Sequence, residues 1–91
     1  MNVEILASIV ESITGCDPLR AGRSRPVVYA RVLLVHALRE QGYTQQRIGE
    51  LIGFTRIAVQ HYCTLFAEAK TYNNNPELLR NWKRLRAVLD L

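Results

Sequence analysis

The stretch VVYARVLLVHAL, from Val27 to Leu38, is apolar on every side except at Arg31 and His36. A helix with that pattern has to be enclosed all round, so it belongs at the centre of a small domain with other helices laid against it. Pro26 suits its first turn, where a fixed φ and a missing N–H cost nothing, and Gly42 is expected to end it. A chain of 91 residues buries somewhat more than about 60% of its unfolded surface, enough for one such core and too little for a second. With 48% hydrophobic and 22% charged residues the composition is that of an ordinary globular chain, which sets aside disorder and low complexity.

The flanking segments supply the enclosing helices. Val3, Ile5, Leu6, Ile9, Val10 and Ile13 recur at three- and four-residue steps and predict an amphipathic first helix that Gly15 can end. Asp17-Pro18 is a capping residue followed by a first-turn proline, which predicts a short turn as far as Ala21 before Gly22 opens the chain. Thr44 caps a third helix from about Gln45 to Ile52, with Arg47 where a capping box would have Glu. Gly53 breaks it, and Thr55 caps a longer fourth helix reaching roughly to Lys70. Thr71 to Asn75 reads as a loop, after which Pro76 and Glu77 open a last helix over 76–90. Its apolar stripe is Leu78, Leu79, Trp82, Leu85, Val88 and Leu89. No segment alternates like a strand and no repeat is visible. The expected fold is all-α: five helices with short connections in a single domain over 1–91.

Within it, YTQQRIGELIGFTRIAVQHYCTLF (Tyr43 to Phe66) sets two helices on either side of a three-residue turn. Two helices that cross steeply in close contact need a small residue at the approach, a left-handed-tolerant residue in the turn, and apolar residues inside. Gly49 and Gly53 answer the first two needs, and Ile48, Leu51, Ile52, Val59 and Tyr62 the third. The stretch resembles the general bacterial helix-turn-helix pattern over its whole length, which predicts a helix-turn-helix at 44–70 and binding to double-stranded DNA. Thr55, Arg56, Ile57, Gln60, His61 and Thr64 lie opposite Val59 and Tyr62 on the second helix and are the candidates for the major groove. Arg56 can address guanine and Gln60 adenine in bidentate fashion, Thr55 a phosphate or base, and Ile57 a thymine methyl. The plain alternative for each is a solvated surface side chain.

Charge is distributed to match. The net charge is +4, and ten of the twelve basic residues are arginines, whose planar fork suits phosphate and guanine edges. Residues 1–15 carry Glu4 and Glu11 and no base, whereas the loop 20–25 holds Arg20, Arg23 and Arg25 around Ser24, a positive cluster with Gly22 inside it and Pro26 after it. A second basic stretch, Arg80, Lys83, Arg84 and Arg86, lies on the last helix and either adds phosphate contacts or solvates its outer face.

The run DPLRAGRSRPVVYARVLLVHALRE with the helix pair after it resembles the C-terminal DNA-binding domain of the bacterial chromosomal replication initiator DnaA, a relative in fold of the tryptophan repressor. The resemblance covers about residues 9–70. It implies that a basic loop lies on the phosphate backbone beside the reading helix, that Arg23 and Arg25 match the family's loop arginines, and that Arg31 matches an arginine of the following helix. Arg20, Arg23, Ser24, Arg25 and Arg31 therefore join the candidate DNA contacts. The family's Gly-Gly-Arg-Asp-His signature is replaced by Gly53-Phe54-Thr55-Arg56-Ile57-Ala58, so its base preference does not carry over. No Gly-rich phosphate loop is present, so the likeness is to the DNA-binding part alone.

Other chemistries find little footing. Cys16 and Cys63 cannot make a disulfide framework, and His61 and Cys63, two apart on one helix, do not converge on a metal. His36 in an apolar helix reads as a packed histidine rather than a base, and no nucleophile motif or carboxylate cluster suggests an enzyme. No cofactor is expected. The start MNVEILASIV lacks the marks of a leader and no apolar run spans a bilayer, which predicts a cytoplasmic protein. The expected role is a small transcriptional or replication regulator. A helical protein-interaction module or homodimer using the Trp82 helix, and the DNA-binding subunit of a larger replication or recombination assembly, remain as alternatives.

Overall fold

Five helices follow one another in the computed structural model, which describes residues 2–90: α1 (Val3–Thr14), α2 (Arg25–Glu40), α3 (Gln45–Ile52), α4 (Arg56–Tyr72) and α5 (Pro76–Leu89). The single-domain expectation over 1–91 also spans Met1 and Leu91, which lie outside the described residues. No strand occurs among the described residues, and the all-α, five-helix expectation holds.

α2 occupies the centre and packs against α1, α3, α4 and α5. Ala30, Val32, Leu34, Val35, Ala37 and Leu38 are wholly enclosed, as an all-round apolar helix requires. Leu6 and Val10 of α1, Ile48 of α3, Val59 and Phe66 of α4, and Leu78, Trp82 and Leu85 of α5 complete one continuous core. Truncating a fully buried leucine such as Leu34 in a core of this kind costs about 2–5 kcal/mol.

The helix ends follow the local sequence. Asn2 accepts the Glu4 N–H at 2.7 Å, and Gly15 takes the left-handed conformation that ends α1. α4 runs two residues past Lys70, to Tyr72, and Asn75, read from sequence as loop, caps α5 by accepting the Leu78 N–H at 3.1 Å.

Three details depart from the periodicity. Ile5 is 56% exposed and Val88 61% exposed, although the periodicity puts both on apolar stripes. Ile5 lies about 100° of helical rotation from Leu6, and Val88 about 60° from Leu85 on the side away from Trp82, so both fall off the edge of their stripes. Leu51 and Ile52 are only half-buried. The turn after Asp17 forms, with the Arg20 N–H donating to the Asp17 carbonyl at 3.1 Å, and stops one residue short of Ala21. The Asp17 side chain accepts the Leu19 N–H at 2.9 Å, but the carbonyls of Pro18 and Arg20 accept from the Arg31 side chain instead of from later backbone amides.

Candidate nucleic-acid interface

The helix pair is built around Gly49. A Cβ at that position would stand 2.6 Å from the Phe54 carbonyl oxygen, so the backbone after α3 crosses where no side chain fits. The Gly49 carbonyl accepts two amides, Gly53 at 2.9 Å and Phe54 at 3.0 Å. Gly53 provides the reversal with φ 76°, which an L side chain resists. Each helix is then started by a threonine: Thr44 accepts the Arg47 N–H and Thr55 the Ala58 N–H, both at 3.1 Å. The connection is thus three residues, 53–55, as the spacing predicts.

With that turn fixed, α4 sorts its side chains. Val59, Tyr62 and Phe66 are buried against the core, whereas Arg56, Ile57, Gln60, His61 and Thr64 are exposed. The exposed set covers an arc of about 140° and the buried set an arc of about 60° on the opposite side. Ile57 is 79% exposed in the first turn of the helix. Thr64 donates its hydroxyl proton to the Gln60 carbonyl at 3.0 Å, leaving its oxygen lone pairs and methyl to face outward. Thr55 uses its oxygen as the cap and keeps its hydroxyl proton to donate. α5 lies against the C-terminal half of α4, where Cys63, Phe66, Ala67 and Lys70 share a crevice with Trp82 and Arg86, so the exposed first turns have no roof from that helix.

The basic loop divides. Arg20, Arg23 and Ser24 are exposed, and Ser24 makes no side-chain cap to α2. Arg25 is exposed as well but lines a separate crevice of about 280 Å³ with Tyr29, Asn75, Glu77 and Asn81, beside the start of α5.

Arg31 corrects the expectation that it contacts DNA. It is 2% exposed, the one charged side chain in the buried interior among the described residues. Its Nε donates to the Pro18 carbonyl at 3.0 Å, an Nη donates to the Arg20 carbonyl, and its guanidinium lies 4.8 Å from the centre of the Phe54 ring. A cation taken from water needs such partners, and here two carbonyls and a ring face provide them. The sequence held a signal for this: a charge inside an otherwise all-apolar helix must find buried partners. Phe54, which receives it and also meets Tyr62 edge-on at 6.0 Å, was not singled out from sequence.

Further along α2, His36 is stacked on Phe66 at 3.6 Å and touched by the edge of Trp82 at 4.4 Å. Its Nε2 is 3.5 Å from a Glu40 carboxylate oxygen. Burial holds His36 below the ordinary imidazole value; Glu40 opposes that, and Lys70 and Arg86 add to it. The histidine is packed, as its setting in the sequence suggests. The crevice beside it, about 850 Å³, takes Lys70, Arg80, Lys83 and Arg86 along its rim. Burial likewise pushes the Cys63 thiol up. No three His, Cys, Asp or Glu side chains gather into a candidate metal site among the described residues, and no helix there is long and apolar enough to cross a membrane.

The fold and site define a five-helix domain with a glycine-hinged helix pair and a basic loop tied beside it. Comparison with protein-family models, with curated proteins and with solved structures finds no match for this chain.

Proposed function

We propose that this protein is a sequence-selective reader of double-stranded DNA, a helix-turn-helix regulator that inserts the first turns of α4 into the major groove while Arg20 and Arg23 hold phosphate. The observation that carries the reading is the outward face of α4. A glycine-tight turn presents Arg56, Ile57, Gln60, His61 and Thr64 together, uncovered, on a helix whose other side is locked into the core. An isoleucine 79% exposed beside an arginine and a glutamine suits base edges, where apolar contact with a thymine methyl and bidentate hydrogen bonds act side by side. Arg56 makes no ion pair within the chain among the described residues, which leaves its fork free.

The experiment is selection of binding sites from random duplexes, followed by affinities over a salt series. Arg56→Ala weakens the selected site by about 1–3 kcal/mol and relaxes its preference. Arg23→Ala weakens selected and random duplexes alike and lowers the salt slope by about one. Equal losses for the two variants on both duplexes would defeat the groove assignment.

One observation favours a second reading, contact with another protein through α1 and α5: the exposure of Ile5 and Val88. Trp82 takes no part in it, because it is enclosed at 9% exposure. Absence of retention on a duplex column at low salt would move the function there.

A further inference from the structure

We infer that Arg31 is a positioning residue that joins the basic loop and the start of α4 into one rigid DNA-facing surface, although it touches no DNA itself. The inference rests on the DNA reading above and says how its two contact regions are held in register.

Three contacts support it, two hydrogen bonds and one ring contact made by a single planar group. Nε and one Nη bridge the Pro18 and Arg20 carbonyls, and the flat face lies over Phe54, the residue before the α4 cap. Among the described residues, the hydrogen bonds that leave the segment 18–23 for a helix both come from Arg31. Without them the loop is anchored by Pro18, which is fully buried, and by the turn closed on Asp17. On the other side, Phe54 is fixed through its amide to the Gly49 carbonyl, and the Phe54 carbonyl is the atom that excludes a side chain at Gly49. A displacement of the loop is therefore transmitted through one guanidinium to the turn that aims Arg56, Ile57 and Gln60. Lysine cannot substitute, since an ammonium has neither the fork nor the flat face.

The test uses the whole chain and two measurements. The first needs no DNA: hydrogen exchange by NMR at Leu19 and Arg20 in the loop and at Phe54 in the turn and Ala58 and Val59 beyond it. In Arg31→Met and Arg31→Lys both groups exchange about tenfold faster, while the amides of α1 and α5 keep their rates. Faster exchange in the loop alone, with 54–59 unchanged, overturns the inference. The second is a double-mutant cycle on the selected duplex. Arg23→Ala and Arg56→Ala are coupled in the natural chain, and the coupling disappears when Arg31→Met is added, which by itself lowers affinity about tenfold. Strict additivity in the natural chain overturns it. If Arg31→Met does not fold, Phe54→Leu removes the ring while leaving both carbonyl bonds: exchange at 54–59 then rises while the loop keeps its rates, and the coupling between Arg23 and Arg56 is lost, whereas unchanged exchange at 54–59 or an intact coupling overturns the inference. If the natural chain binds no duplex, the functional reading has failed, and the exchange data then decide the tether on their own.

Discussion

Arg31 and His36 stand five positions apart on α2, and each brings a basic group into the space between helices. Around Arg31 the neighbours are backbone carbonyls and the ring of Phe54; around His36 they are Phe66, Trp82 and a single carboxylate at the rim. For the guanidinium, two carbonyls and a ring face replace the water it lost. The imidazole, offered mainly ring faces, is held toward its neutral form. Two regions of one small core thus handle polarity in different ways. The Arg31 corner is directional, made of hydrogen bonds that specify where a loop and a turn sit, whereas the His36 seam is apolar, made of ring contacts that join α2, α4 and α5. The first kind of contact sets geometry near the candidate interface and the second supplies stability away from it.

The contrast can be broken from either side. Trp82→Ala removes the largest ring of the seam and should destabilise the protein by about 3–5 kcal/mol in denaturant unfolding, the largest effect expected here. DNA affinity of the remaining folded fraction should be little changed, since the corner is intact; a proportionate loss of base selectivity would show that the regions are not separable. Gly49→Ala strikes the other region. Its Cβ meets backbone oxygen at 2.6 Å, so the turn must shift, at a cost of about 1–3 kcal/mol. Here selectivity should fall well beyond what the stability loss accounts for, and unchanged selectivity would detach the turn geometry from recognition.

The smallest effect is a pH dependence belonging to the seam. His36 is held below its ordinary value of 6.5 in the folded protein, so between the two values the unfolded chain binds more protons. Stability is therefore fully present above about pH 6.5 and is lost as pH falls toward the folded-state value. In His36→Gln the unfolding midpoint should vary less between pH 7.5 and pH 5, about the range over which an imidazole titrates. A variant with an undiminished slope would place the pH sensitivity elsewhere.

Much of this was legible in the residues. The central position of α2 follows from its lack of a polar side, the three-residue turn from Gly53 and Thr55, and the outward set on α4 from a 3.6-residue repeat. These are local properties, in which periodicity and capping act over a few residues. Ile5 and Val88 went astray for a related reason: a repeat marks a face, but how wide a stripe the neighbours cover depends on where those neighbours sit.

The chain by itself determined five helices, their ends and which of them is enclosed, because backbone propensity, caps and apolar period are encoded in neighbouring residues. Only the tertiary structure decided that Arg31 faces inward and joins Pro18, Arg20 and Phe54. Such contacts join residues far apart along the chain, and a buried cation goes wherever the assembled fold happens to offer it oxygen atoms and a ring.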